Sequence, residues 1–129
     1  MLNKVILIGR LTKDPELRYT PGGHAVSTFV LAVDRPFTAQ DGERKTDFIK
    51  VVSWRKLAEA VAQNLSKGRL VAVDGSLQIE SYDGKDGNKK LDPKVVAEKV
   101  RFLSWPRKDS DISGEDLGDA EGFLNSFEM

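Results

Sequence analysis

Short apolar or alternating runs, each cut off by a glycine- or proline-bearing turn, fill positions 4–103 and commit the chain to β structure. Lys4-Val5-Ile6-Leu7-Ile8-Gly9-Arg10-Leu11 is apolar on both faces, as a strand covered on two sides would be. Gly9 inside it points to a bulge or a sharp bend. A turn-rich stretch follows, with Asp14-Pro15 and Pro21-Gly22-Gly23, and a second strand over 25–33 carries Val26, Thr28, Phe29, Leu31 and Val33. The polar segment 34–46 reads as a long loop with Asp41-Gly42 near its tip, and a third strand covers 47–54. A single helix is predicted over 56–65, where Leu57, Val61 and Leu65 recur every four residues and share a face. Lys67 and Gly68 read as its cationic end and left-handed cap. A fourth strand over 70–82 breaks at Gly75, Asp83-Gly84-Lys85-Asp86-Gly87-Asn88 forms a hairpin connection, and a fifth strand covers 89–103. Pro93 has no amide to donate, so its position faces an edge or a bulge.

The order β-β-β-α-β-β, with bent strands and one short helix between strands 3 and 4, is the plan of a mainly β, five-stranded Greek-key OB barrel. In such barrels the face of strands 2 and 3 commonly binds single strands or oligosaccharides. The chain's 129 residues accommodate one such domain, over 1–108, and an acidic tail over 109–129. All 20 Lys and Arg residues precede Asp109, whereas the tail holds seven carboxylates and no basic group. The formal net charge of zero is therefore a cancellation between a body of +7 and a tail of −7. A basic body suits a polyanionic partner, and an acidic tail competes for the same surface or reaches another protein. The tail's polarity and charge predict disorder, with Phe123, Leu124 and Phe127 as apolar anchors for a partner's groove.

Period-two geometry puts Phe48, Lys50, Val52 and Trp54 on one face of the third strand. If that face is outward, two aromatic planes and a cation offer a stacking surface for bases, which tolerates any sequence. If it is inward, the same residues are core. Phe37 falls in the long loop and Tyr82 at the tip of the fourth strand, positions from which loops fold over a bound strand. Phosphate contacts are expected from Lys50, Arg55, Lys56 and Lys67, with Arg10, Arg18 and Arg35 as secondary candidates.

Leu2-Asn3-Lys4-Val5-Ile6-Leu7-Ile8-Gly9-Arg10-Leu11, Asp14-Pro15-Glu16-Leu17-Arg18-Tyr19-Thr20-Pro21-Gly22-Gly23, Lys56-Leu57-Ala58-Glu59 and Lys67-Gly68 together resemble the bacterial single-stranded DNA-binding protein family. The resemblance implies stacking by Phe37, Phe48, Trp54 and Tyr82. It also implies a homotetramer paired along the first strands, with Asn3, Val5 and Leu7 at the contact and Ile49 serving core or interface. A tail that recruits replication, recombination and repair proteins is a further implication. Two departures stand out. Many members carry an Arg/Lys-rich run ending in Trp where this chain has Gln78-Ile79-Glu80-Ser81-Tyr82, so a weaker electrostatic contribution is expected there. The family's terminal Pro-Phe is replaced by Asn125-Ser126-Phe127-Glu128-Met129.

Catalysis finds no support in the chain. It has one histidine, His24, in a glycine-rich turn, and no cysteine, which removes disulfides, thiolate metal sites and Cys nucleophiles. Lys85 breaks any calcium-loop reading of 83–88, so neither metal nor cofactor is expected. No apolar run approaches the ~20 residues of a membrane span, and a cytoplasmic, nucleoid-associated location without membrane partners is expected. The reading that follows is sequence-independent binding of single-stranded DNA. The rival is an adaptor on the same fold, acting through protein contacts.

Overall fold

A computed structural model describes residues 1–38, 42 and 44–104; the tail at 109–129, with Phe123, Leu124 and Phe127, lies outside them. The elements run β1 (Val5–Leu11), β2 (Glu16–Tyr19), β3 (Ala25–Thr38), β4 (Arg44–Trp54), α1 (Arg55–Asn64), β5 (Leu70–Asp83) and β6 (Lys89–Ser104). Pairing follows β1-β5-β6-β4-β3-β2, and β1 pairs with β3 as well, so five of the strands form a ring with β2 attached outside it. The pairings are antiparallel except that of β4 with β6, which is parallel and joins only Val51 to Val95 and Val52 to Val96.

The ring is filled from alternate positions of its strands. Leu11, Phe29, Leu31, Val51, Val71, Val73 and Val95 are buried inside it, with Val61 from α1 and Leu65 just past its end. Period-two alternation aims Ile6 and Ile8 away from Val5 and Leu7, so they pack on a second cluster of Leu70, Ala72 and Leu103. The two-faced apolar character of the first strand is thus used on both faces. Four polar side chains are buried among the described residues: Arg69, Asp74, which Lys4 meets at 2.8 Å, and the pair Ser27 and Ser53, directly opposite in the β3–β4 register with hydroxyl oxygens 2.5 Å apart.

Several expectations need correction. Six strands are described rather than five, because 16–19, within the stretch read as turns, pairs with β3 from Glu16 opposite Thr28 to Tyr19 opposite Ala25. All four of its residues are exposed, so no hydrophobic alternation marks it. The long loop expected at 34–46 is also mostly strand, since β3 runs on to Thr38 and β4 begins at Arg44. This extension is held by polar cross-strand pairs, Arg35 with Asp47 and Thr46 with Asp34, which leave no apolar pattern to read. Phe37 therefore belongs to β3. The helix covers 55–64 instead of 56–65, and Gly68 does not cap it: Leu65 is the cap residue, with extended backbone. Gly68, at φ 86°, instead serves a tight turn closed by the Arg69 amide donating to the Ser66 carbonyl at 3.1 Å.

Gly9 is no bulge, because the β1–β5 register runs unbroken through it. Its missing Cβ makes room for the Ala32 carbonyl of β3, where β1 is clasped between two partners. Gly75 does sit at a register irregularity of the β5–β6 pair, as expected. Pro93 lies in the part of β6 that pairs with β5 alone, beyond the two positions shared with β4, so its other edge is open.

Candidate nucleic-acid interface

Directly opposed residues in a sheet point to the same face, so the register defines the outer surface row by row. Trp54 lies in a row with Val26 and Arg18, Val52 with Thr28 and Glu16, Lys50 with Val30, and Phe48 with Ala32. The inward positions of β4 are Val51 and Ser53, both fully buried. Phe48 is 68% exposed and Trp54 45%. The aromatic face of β4 is therefore outward, and the core alternative for Phe48 and Trp54 is overturned. Between the two rings, Val26, Thr28 and Val30 form a half-buried floor. Sequence reasoning left these three out of the site, although their alternation with buried Ser27, Phe29 and Leu31 was the available signal.

The cations differ in what they already hold. Arg55, Lys56 and Lys67 are exposed and have no ion pair among the described residues, the first two at the Trp54 end of the platform and Lys67 past the far end of α1. Arg55 takes φ 58°, the left-handed region that a non-glycine residue enters at a cost. Lys50 lies 3.3 Å from the Asp92 carboxylate of β6. Arg35 makes a two-pronged contact to Asp47, Nε and Nη2 each donating at 3.0 Å. The hydrogen bond to Arg35 holds the Asp47 carboxyl below its ordinary range and raises the guanidinium in turn. Arg18 donates to Glu16 at 2.6 Å, and Arg10 turns its guanidinium onto the Gly68 carbonyl at 3.0 Å.

Beyond the ring, β5 from Leu77 and β6 up to Lys94 continue as a two-stranded arm. Tyr82 sits opposite Lys90 near its tip and is 56% exposed. Opposed pairs put Tyr82, Glu80 and Asp92 on one face of the arm, and the Lys50–Asp92 contact ties that face to the platform. Tyr82 is thus on the arm, apart from Phe48 and Trp54. Phe37 lies in β3, and nothing further is described of it.

The arm's base is fixed by Asn3, whose amide donates to the Leu77 carbonyl at 2.7 Å and accepts from the Leu77 amide at 2.9 Å. The side chain thereby adds one rung to the β1–β5 ladder. Where β4 and β6 diverge below Val51 and Val95, an open groove of about 330 Å³ appears. Val5, Leu7, Ile49, Leu77 and Val95 line it, with Phe48, Lys50, Pro93 and Lys94 around them. Val5, Leu7 and Ile49 also pack against the core, so for Ile49 the inward role is real and the groove leaves it partly accessible.

Among the described residues no group of three or more His, Cys, Asp or Glu is placed to hold a metal, and no helix is long and apolar enough to cross a membrane. A closed ring of strands carrying aromatic planes and cations on one outer face is a binding surface suited to a flexible, planar-based polyanion. The sequence comparisons agree with that class. The model of the Single-strand binding protein family matches residues 2–103. The chain is 52% identical over 122 residues to the single-stranded DNA-binding protein of Halalkalibacterium halodurans, covering 95% of this chain and 72% of that one. It is 52% identical over 128 residues to the Clostridium tetani protein of the same name, covering 98% and 82%. Over 103 residues it is 61% identical to that of Caldanaerobacter subterraneus subsp. tengcongensis, covering 80% and 69%. The chain belongs to the single-strand binding protein family.

Proposed function

We propose that this chain binds single-stranded DNA without regard to sequence, protecting and organising it during replication, recombination and repair, by stacking and phosphate contact and without chemistry. The observation that carries the reading is the outward pair Phe48 and Trp54 around Lys50 in a chain of this family. Phe48 and Trp54 supply stacking planes on the platform, Tyr82 adds one from the arm, and Phe37 completes the aromatic set. Arg55, Lys56 and Lys67 meet phosphates as free cations; Lys50, Arg18 and Arg35 must first leave a carboxylate, and Arg10 a carbonyl.

The ring is read as a Greek-key OB barrel with β2 as an addition to its five strands, forming a domain over 1–108. The tail at 109–129 is read as disordered, with Phe123, Leu124 and Phe127 meeting replication and repair proteins or the tail competing with DNA. For assembly we favour a homotetramer contacting through Asn3, Val5, Leu7 and Ile49. The partial accessibility of the last three along the groove supports this. Four sites on one particle multiply modest contacts through effective concentration. The protein is placed in the cytoplasm, at the nucleoid.

The test is a titration with a long thymidine homopolymer, followed by tryptophan fluorescence, with duplex DNA of equal length as control. Strong quenching by the single strand and little by the duplex is expected. Trp54→Phe identifies the signal of Trp54 against that of Trp105, and Trp54→Ala should weaken binding by about 1 to 3 kcal/mol per stacked base. An equal, weak response to both polymers, or a Trp54→Ala variant with undiminished affinity, refutes the reading and favours an adaptor acting through protein contacts.

A further inference from the structure

Lys50 is the cation best placed for a strand stacked on both Phe48 and Trp54, since it lies between them on the same face of β4. Yet it is not free. Its ammonium lies 3.3 Å from the carboxylate of Asp92, which reaches across from β6, a strand that at this point no longer pairs with β4. Asp47 occupies the Arg35 guanidinium with two hydrogen bonds, but strand alternation puts that pair on the face of β4 opposite Phe48 and Lys50. On the platform itself, then, the Asp92 carboxylate holds the cation that a phosphate needs. The pair is not sealed from solvent: the Lys50 and Asp92 side chains are 41% and 35% exposed. Ion pairs this exposed are weak and exchangeable.

We propose that Asp92 is an intramolecular competitor for the phosphate site at Lys50, which sets the affinity and the salt dependence of binding. This rests on the single-strand-binding reading above. A phosphate arriving at a free lysine releases the cations condensed on the nucleic acid, and affinity falls with salt accordingly. A phosphate arriving at Lys50 displaces a carboxylate, which then draws a cation of its own. The net release at that contact is close to nil, and the contact adds little to the salt slope. A ligand that brings phosphate alone, such as duplex DNA, meets an already neutral pair. A single strand also brings bases to Phe48 and Trp54, and stacking there drives the exchange. The carboxylate thus shifts the basis of recognition from charge towards exposed bases.

The experiment measures the affinity of the full chain for the thymidine homopolymer across a range of salt concentrations, for the wild type and Asp92→Asn. The variant should bind roughly two- to fivefold more tightly at low salt. Its log–log salt slope should steepen by up to about 0.7, the value of one single-strand phosphate contact. Glu98→Gln adds the same unit of charge on β6 away from the groove and should leave the slope unchanged. Adding Lys50→Gln to Asp92→Asn should abolish the gain.

Weaker binding by Asp92→Asn, or a steeper slope in Glu98→Gln as well, overturns the proposal: the carboxylate would then orient Lys50, or net charge alone would govern. An unchanged slope in Asp92→Asn overturns it equally, with the binding reading intact. A wild type that does not bind the homopolymer overturns both.

Discussion

Ser27 and Ser53 form a hydrogen bond between two fully buried side chains, and they lie directly beneath the platform, one position from Val26 and Trp54. Removing one hydroxyl leaves the other fully buried and without its partner, a desolvation cost of about 1 to 3 kcal/mol. Removing both leaves two methyl groups facing each other in an apolar setting, with only a small void to account for. Ser27→Ala and Ser53→Ala should therefore each lower stability by about 1 to 3 kcal/mol, while the double variant should cost less than the sum and near to neither single loss doubled. The coupling between the two sites should reach about 1 to 3 kcal/mol. The assay is urea unfolding of all four proteins at one fixed protein concentration, since any association of copies makes the midpoint concentration-dependent. Additive losses, or single losses under about 0.5 kcal/mol, would refute the argument. The pair matters for function because the side-chain period of a strand is two: a one-residue slip of β4 would turn Phe48, Lys50 and Trp54 inward. A slip also separates the two hydroxyls, so the bond is satisfied only when the aromatics face out.

Gly75→Ala should cost about 1 to 3 kcal/mol in the urea midpoint, because the new Cβ meets the Val96 carbonyl oxygen and backbone cannot turn aside as a side chain could. Arg55→Gly should be more stable than Arg55→Ala by about 1 kcal/mol, since only glycine relieves φ 58°, while both lose the same cation; an equal or more stable Ala variant would refute the strain. The Asp47 carboxyl should titrate below its ordinary value of 3.8. The Arg35 pair's contribution is then complete above that value and lost as pH falls through the lower one. Carbon NMR of the Asp47 carboxyl checks this, and Arg35→Gln should move its midpoint back up.

What the sequence made legible was everything carried by hydrophobic alternation. The strands 25–33, 47–54 and 70–82, the helix at 55–64 to within a residue, and the outward option for Phe48 and Trp54 all rest on it. What it concealed was held together by polar groups. β2 is exposed along its whole length and exists because β3 offers an unpaired edge. The extension of β3 to Thr38 is fastened by Arg35–Asp47 and Thr46–Asp34, which look in sequence like any polar loop. Gly68 was misassigned because a turn glycine and a cap glycine carry the same letter at nearly the same spacing. Among the site residues, Arg55 and Lys56 were placed by their adjacency to Trp54. Asp92, the partner of Lys50, comes from a strand distant in sequence, and Asp47 meets Arg35 across the β3–β4 hairpin; no local pattern announces either.

Two junctions of the ring, the parallel one of β4 with β6 and the antiparallel one of β1 with β3, have two register pairs each, whereas the other three run longer. Parallel pairing is slightly less stable per residue, so of the two the β4–β6 junction is the cheaper to undo. A closed circle with such a link behaves as a clasp. The groove begins at the end of this clasp, with Lys50 on one jaw and Pro93 and Lys94 on the other. A polymer lying from Phe48 across to Tyr82 would bridge the jaws and fasten them. The amides of Val51, Val52, Val95 and Val96 should then exchange with solvent earlier than the rest of the ring in the free protein, and be the ones most slowed when the strand is bound.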